Sequence, residues 1–250
     1  MDTIGLTDPF IIRMNTISAT EIRRQMKELA NPKIAEHSQG FFKTGPGEYG
    51  AGDKFIGIRM PVLRRLAKEN QDLSIKGTLS LLRSKIHEER LLALIILTLK
   101  YQHGDDQEQK SIFDLYCANT TFINNWDLVD CSAHKIVGHY LLDRSRQLLY
   151  RFAKSSNLWE RRIAIFSTYT FIKADDYDDT LTIAEVLLDD EEDLIHKAVG
   201  WMLREIGNRD REVEEIFLRA HYQDMPRTML RYAIEKFPQT VRKRYLAGTI

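Results

Sequence analysis

The chain of 250 residues carries 36 Lys and Arg against 36 Asp and Glu, so its formal net charge is zero. A hydrophobic content of 43% with 29% charged residues excludes a disordered chain, and the length suits one large domain or two small ones. The longest apolar run, residues 91–99, is about half of the ~18 residues that a membrane-spanning helix needs. The N-terminus has no basic-then-apolar secretion pattern, and two lone cysteines, Cys117 and Cys131, indicate a reducing compartment. We therefore expect a cytoplasmic protein.

Apolar residues recur at helical spacing along the chain, and alternating strand-like segments are absent. Ser18 with Glu21 has the form of a capping box, which predicts a helix from Ala19. Pro61 suits the first turn of another helix. The spacing predicts later helices over residues 88–101, 158–171, 193–206 and 229–237. We expect an all-α chain of about ten to twelve helices.

A cation followed by apolar residues recurs at a nearly constant spacing. Arg162, Lys197 and Arg231 are separated by 35 and 34 residues, and Arg90 lies 72 residues before Arg162, which is twice 36. A two-helix unit of about 35 residues is typical of tetratricopeptide and HEAT solenoids. We expect a HEAT-like helical-repeat solenoid, an α-α superhelix, as a single domain. Its residues 1–15 would form a flexible N-terminal segment, and an irregular helical bundle is the alternative.

The repeated cations allow two interpretations. If each lies at the same place in its repeat, the four would form a row on a concave surface that could bind a phosphate backbone. Alternatively, each cation pairs with neighbouring acids such as Glu89, Glu160 and Glu205. The spacing alone leaves both interpretations open.

The neutral total hides strong local imbalance. Cations dominate residues 54–68, 143–162 and 227–244, whereas residues 174–193 contain ten acids and no base. This pattern predicts a polarised molecule, with a basic concave face for a polyanion and an acidic segment that points elsewhere.

A glycine-rich stretch covers residues 43–53. Residues 45–50 match the letters of a dinucleotide fingerprint, but no strand precedes them and a proline lies inside the turn. We interpret the stretch as a surface loop between two helices, with Lys43, Tyr49 and Lys54 available to a ligand. The histidines are dispersed, and no metal or nucleophile motif is present, so we expect no metal and no cofactor.

Trp126 and Asp130 lie four residues apart and would share one face of a helix. A carboxylate beside an indole can stabilise a cation, because the indole face attracts positive charge and a partly desolvated carboxylate does so more strongly. Trp201 occupies a similar place in a later repeat. The alternative is that the tryptophans belong to the core and that Asp130 pairs with a nearby cation such as Lys135.

The sequence resembles the DNA alkylation repair family of AlkD-like glycosylases, which are built from HEAT-like repeats. The resemblance covers roughly residues 18–240, and four segments carry it, in the same order and at the same spacing. These segments are residues 126–130, 158–165, 196–205 and 230–236. The stretch Gly-Pro-Gly-Glu-Tyr-Gly also looks like one found in many members of the broader family.

The resemblance implies excision of positively charged N3- or N7-alkylated purines from duplex DNA, by hydrolysis of the N-glycosidic bond and without a pocket that encloses the base. By similarity, Asp130 would be the catalytic carboxylate. Trp126 and Trp201 would flank the deoxyribose of the lesion. Arg162 would hold the DNA backbone nearby.

The implied partner is double-stranded DNA with alkylated bases, bound by a monomer that is cytoplasmic and nucleoid-associated when it acts. We expect further DNA contacts from Arg90, Lys197, Arg231, Lys43 and Tyr49. The glycine-rich loop is not a feature of every characterised glycosylase of the family. Two alternatives remain: the row of cations also suits a non-enzymatic DNA-binding repeat protein, and the acidic segment 174–193 suits a protein-interaction solenoid.

Overall fold

The computed structural model describes residues 17–250, so the expected flexible segment 1–15 lies outside the described residues. Within the described part, the only β pairing is an isolated bridge between Lys54 and Ile86. The helices, in chain order, are α1 (Ala19–Glu28), α2 (Pro32–Phe41), α3 (Met60–Glu69), α4 (Ile75–Leu82), α5 (His87–His103), α6 (Asp106–Cys117), α7 (Trp126–Asp130), α8 (His139–Leu141), α9 (Gln147–Ala153), α10 (Leu158–Ser167), α11 (Tyr169–Ile172), α12 (Asp178–Val186), α13 (Asp193–Gly207), α14 (Arg211–His221), α15 (Arg227–Ala233) and α16 (Gln239–Ala247).

The helical prediction is confirmed, but residues 17–250 contain sixteen α segments instead of ten to twelve helices. The predicted helix over 158–171 is divided at Thr168 into α10 and α11. Ser18 caps α1 as predicted, because its hydroxyl accepts the Glu21 N–H at 3.2 Å. The reciprocal half of the capping box is absent, since the Glu21 carboxylate binds Arg24 instead. Pro61 lies in the first turn of α3, as expected.

The helices form two layers. In the first layer, α5 packs on α7, α7 on α10, α10 on α13, and α13 on α15. The second layer covers the first, with α4 and α6 on α5, α9 on α10, and α12 and α14 on α13. This stepwise packing of helix pairs is the HEAT-like helical-repeat fold that the spacing predicted.

One continuous apolar core joins the repeats, from Ile22 in α1 to Tyr245 in α16. Each first-layer helix contributes buried residues from its repeated apolar motif, among them Leu92, Leu128, Ile163, Val199 and Leu230. Full burial of such a side chain stabilises a fold by roughly 1.5–3 kcal/mol. None of the helices within residues 17–250 has the length and apolar character required to cross a membrane.

The predicted separation of charge is wrong in part, because two of the six cations of the basic segment 143–162 pair with carboxylates of the acidic segment 174–193. Arg146 pairs with two carboxylates of the acidic segment, at 2.5 and 2.6 Å. Arg161 pairs with Asp190 at 2.6 Å. Opposite charges therefore meet at short range between consecutive repeats, and the two segments do not form opposed surfaces.

Close packing of α13 on α15 depends on a glycine. A Cβ at Gly200 would lie 2.3 Å from the carbonyl oxygen of Met229, so an alanine there forces the two helices apart. We expect Gly200→Ala to lower the free energy of unfolding by about 1–3 kcal/mol, measured by urea denaturation.

Gly40 provides the matched control, since a Cβ at this position of α2 would meet nothing within 4 Å. Gly40→Ala should leave the free energy of unfolding unchanged or raise it by up to about 1 kcal/mol. Equal destabilisation by both substitutions would contradict the role given to Gly200.

Candidate active site

The short helix α7 positions Trp126 and Asp130. Asn125 caps it, with its side-chain oxygen accepting the Trp126 N–H at 2.8 Å. The helix ends after five residues, at Asp130, and a π-helical turn follows at His134–Gly138. Both side chains line the same cavity. The predicted placement of an indole and a carboxylate on one helical face is therefore confirmed.

That cavity has a volume of about 630 Å³. Its walls come from the glycine-rich loop 43–53, the end of α2 and the first-layer helices α7, α10, α13 and α15. Of the expected site residues, seven line it: Lys43, Tyr49, Trp126, Asp130, Arg162, Lys197 and Trp201. The cavity beside Asp130 is open, so the implied absence of a pocket that encloses the base stays a prediction.

Asp130 forms a two-pronged ion pair with Arg162 of α10. The guanidinium Nε and Nη2 donate to the two carboxylate oxygens, each at 2.8 Å. Arg162 also donates to the carbonyl oxygen of Leu194, and its side chain is only 5% exposed. Arg162 nevertheless lines the cavity, so its expected contact with the DNA backbone stays a prediction. Asp130 does pair with a cation, as the alternative interpretation expected, but that cation is Arg162 instead of Lys135.

The environment of Asp130 changes its acidity. Burial raises the pKa of the Asp130 carboxyl above its ordinary value, the Arg162 guanidinium opposes part of that rise, and the neighbouring Asp127 adds to it. The side chain keeps 17% of its surface exposed. It is therefore a partly desolvated carboxylate that still faces the cavity.

Aromatic contacts hold the two tryptophans in place. Trp126 stacks on Phe42, with ring centroids 5.3 Å apart and an angle of 19° between the planes. Trp201 is 36% exposed, and its indole N–H donates to Glu205 at 3.0 Å. The edge contact of Trp201 with Phe166, at 5.5 Å, orients it further. Neighbouring side chains therefore fix the orientation of both indoles at the cavity.

The loop 43–53 connects α2 to α3 as predicted. A hydrogen bond within the loop brings its two ends together, because the Gly50 N–H donates to the Lys43 carbonyl oxygen at 3.1 Å. The backbone is so close there that a Cβ at Gly50 would lie 2.4 Å from the Phe42 carbonyl oxygen. The ring of Tyr49 packs edge-on against Trp159, with centroids 6.2 Å apart. Tyr49 therefore has a fixed position at the cavity.

The predicted row of four cations is not formed. Arg90 is buried, with 3% of its surface exposed, and it pairs with Asp53 at 2.7 Å, so it cannot contact DNA in this structure. Lys197 lines the cavity and pairs with Asp193 at 2.6 Å. Arg231 is exposed but does not line the cavity. Pairing with acids was therefore the better interpretation for three of the four cations, but the partners are aspartates instead of the named glutamates.

Several residues of the cavity wall were not predicted from the sequence. Phe41 and Tyr232 line it and are among the exposed large hydrophobic residues. In the sequence, only their neighbours point to them: Phe41 lies just before the glycine-rich loop, and Tyr232 follows Arg231. Glu192 and Asp193 also line the cavity, so the end of the acidic segment does not point elsewhere as expected. Within residues 17–250, no group of three or more His, Cys, Asp or Glu side chains could hold a metal ion.

A buried histidine ties the loop to α7. His87 is 1% exposed, and its Nε2 lies 2.8 Å from Asp127 while its Nδ1 lies 3.3 Å from Asp53 of the loop. Its ring stacks on Phe55, with centroids 4.5 Å apart. Burial lowers the pKa of His87, but the two carboxylates outweigh burial and raise the pKa to about 9. The imidazolium form therefore joins the loop to the helix that carries Trp126.

The fold and the cavity define a helical-repeat protein in which one carboxylate and two indoles line the same cavity. The family model described as DNA alkylation repair enzyme matches residues 22–237 of the chain. The protein belongs to this family, as the resemblance of its sequence indicated. No curated protein matches the chain.

Solved structures with the same fold come from bacteria. A predicted DNA alkylation repair enzyme from Enterococcus faecalis aligns with a TM-score of 0.65 and 18% identity, over 84% of this chain and 97% of that chain. AlkD2 from Streptococcus mutans aligns with a TM-score of 0.53 and 14% identity, over 88% of this chain and 97% of that chain. These likenesses show that the protein has the AlkD-type repeat fold.

The His87 contacts predict a loss of stability at alkaline pH. Because its pKa is higher in the folded chain than the ordinary 6.5, the stabilisation is complete below that value and disappears as the pH rises through about 9. We expect the free energy of unfolding to fall over this interval by at most about 3 kcal/mol. Urea denaturation at a series of pH values measures it.

His87→Gln should flatten this pH dependence, since a neutral amide does not titrate. The same substitution at the exposed His103 is the control and should retain the wild-type slope. A wild-type slope in the His87 variant would show that other groups cause the effect.

Proposed function

We propose that the protein is a monofunctional DNA glycosylase that removes positively charged N3- or N7-alkylated purines from duplex DNA by hydrolysis of the N-glycosidic bond. The convergence of Asp130, Trp126 and Trp201 on one cavity, in a chain of the DNA alkylation repair family, carries the proposal.

The reaction needs little help at the base, because alkylation has already made the purine a cationic leaving group. When the bond between C1′ and the base nitrogen breaks, its electron pair neutralises the departing base and the positive charge moves to the sugar. Water then attacks C1′ and loses a proton. A catalyst must therefore stabilise an oxocarbenium-like sugar and accept or relay one proton.

Asp130 suits that task because its ion pair with Arg162 leaves some lone pairs of the carboxylate free. A carboxylate has about four acceptor positions, and the two-pronged pair uses two of them. The remaining lone pairs can act on C1′ or orient the attacking water. Arg162 acts as a positioning residue, which holds the carboxylate in one orientation and opposes the rise in its pKa that burial causes.

Trp126 and Trp201 add charge stabilisation. An indole face within about 6 Å of a cation contributes roughly 0.5–2 kcal/mol, with the larger values in desolvated sites. Since both rings line the cavity beside Asp130, they can flank the deoxyribose as its charge develops.

The proposal includes the partners of the reaction. The candidates for contacts with the duplex are Arg162, Lys43, Tyr49, Lys197 and Arg231. Water is the only co-reactant, so no cofactor is required. We propose a single-domain monomer that acts in the cytoplasm on nucleoid DNA.

Removal of the carboxylate charge tests the mechanism. We expect Asp130→Asn to slow the release of 7-methylguanine and 3-methyladenine from methylated duplex by about 100-fold or more. Chromatography of the released bases under single-turnover conditions measures the rate.

Asp179→Asn is the matched control. The Asp179 side chain is also 17% exposed and paired with an arginine, Arg146, but it lies outside the cavity. This variant should keep the wild-type rate. Unchanged release by Asp130→Asn would show that Asp130 is not the catalytic group, and binding of duplex without any release would favour a DNA-binding protein.

The coupling of Asp130 to Arg162 predicts a shift in the pH profile. If the ionised carboxylate is required, the release rate falls as the pH drops through the pKa of Asp130, which lies above its ordinary value. Arg162→Gln removes the group that lowers this pKa, so the fall should occur at higher pH. Arg162→Lys keeps the charge and should stay closer to the wild-type profile, although its rate falls because a point charge cannot form the two-pronged pair. Identical profiles for wild type and Arg162→Gln would contradict the coupling.

A further inference from the structure

A second cavity lies near the end of α7, outside the cavity that Asp130 lines. It has a volume of about 320 Å³, within the roughly 300–1,000 Å³ of pockets that bind small molecules. Cys131, which follows Asp130 in the chain, lines the second cavity, so the two cavities are neighbours. Three cations, Arg64, Lys68 and Lys135, also line it, and we call it the basic pocket.

The basic pocket opens on the same face of the protein as the cavity beside Asp130. Its lining residues on α3, among them Arg64 and Lys68, recur every four residues and share one face of that helix. Its lining residues on α5, among them Ile95 and Leu99, share one face in the same way. The two helices pack on each other. Since no helix of the second layer contributes a lining residue, the basic pocket belongs to the first-layer face.

Positive charge dominates the basic pocket. No Asp or Glu of the described part of the chain lines it. Arg64, Lys68 and Lys135 belong to none of the ion pairs within residues 17–250. By contrast, Arg65, the next residue on α3, pairs with Glu69 at 3.9 Å and does not line the pocket. Like charges that share a site repel one another, and a bound anion removes that repulsion.

The backbone that carries Lys135 is fixed by close packing. Lys135 lies in the π-helical turn His134–Gly138, and such turns are frequent at functional sites. The turn packs on α10 and α11. A Cβ at Gly138 would lie 2.2 Å from the Ser167 carbonyl oxygen, so the backbones touch there. Lys135 therefore extends from a rigid turn, and only its own side chain has to be ordered when a ligand binds.

Apolar side chains complete the basic pocket. Met60, Ile95 and Leu99 line it together with the cations. Arginine and lysine side chains donate charge-assisted hydrogen bonds to phosphate oxygens, and the arginine fork matches phosphate geometry. An inorganic phosphate would gain nothing from the apolar side chains, whereas the carbon atoms of a sugar lose contact with water against them. Cations beside apolar groups therefore suit a phosphate that is attached to a sugar.

From these features we propose that the basic pocket binds one nucleotide unit, with its phosphate on Arg64, Lys68 and Lys135 and its sugar against the apolar side chains. Two sources present this chemistry: a nucleotide within a duplex bound on this face, and a free mononucleotide. The inference requires no excision of a base and adds a site outside the one in the proposed function.

Binding of an unmodified duplex tests the first source. Fluorescence anisotropy of a labelled duplex at a series of KCl concentrations measures the affinity and its salt dependence. We expect Arg64→Gln and Lys135→Gln each to weaken binding about 3- to 10-fold near 0.1 M salt and to reduce the slope of log K against log [salt] by about 0.9. Arg65→Gln is the matched control, because it removes the same charge from an exposed neighbour outside the pocket, and it should keep the wild-type values.

Calorimetry with deoxyadenosine 5′-phosphate tests the second source. If free nucleotides occupy the pocket, the wild type and Arg65→Gln bind this nucleotide, Arg64→Gln and Lys135→Gln do not, and all four proteins bind duplex equally. Either pattern supports the basic pocket and identifies its ligand. The inference is overturned if the pocket variants match Arg65→Gln with both ligands. Inorganic phosphate that binds as tightly as the nucleotide would overturn the role of the apolar side chains. Because the duplex is unmodified, a failure of base release would leave these results unaffected.

Discussion

The ion pair between Asp130 and Arg162 is the contact on which the site depends. It joins α7 to α10 across consecutive repeats and places a carboxylate at the cavity. Desolvation of two charges is expensive, and their attraction compensates only when the geometry is good and the remaining donors are satisfied. Both conditions hold here, since two bonds of 2.8 Å join the pair and Arg162 also donates to Leu194.

The repeated cation has a structural role that the sequence pattern did not distinguish from DNA binding. Arg90, Arg162 and Lys197 each pair with an aspartate near the cavity or its supporting loop. A cation at this position therefore fixes the local geometry of its repeat. The more deeply the cation is buried, the less it can contact phosphates. In the proposed function, contacts with the duplex would come from exposed groups such as Lys43 and Arg231.

Local patterns predicted the helices and the shared face of Trp126 and Asp130, because helical periodicity and a spacing of four residues act within one turn. Sequence could not predict which acid would meet which base. The partner of Asp130 lies 32 residues away and that of Asp53 lies 37 residues away, so both depend on the stacking of repeats. The resemblance to the family identified Arg162 as important, but its burial and its ion pair with Asp130 became visible only in the packed structure.

The loop 43–53 and α7 are connected by shared contacts, and this connection explains why a glycine-rich segment can shape the cavity. His87 contacts Asp53 at the end of the loop and Asp127, the residue next to Trp126. Phe42 at the start of the loop stacks on Trp126 itself. Both ends of the loop are therefore held by groups that also hold α7. A cavity wall anchored in this way keeps a fixed distance from Asp130, which a freely moving loop could not do.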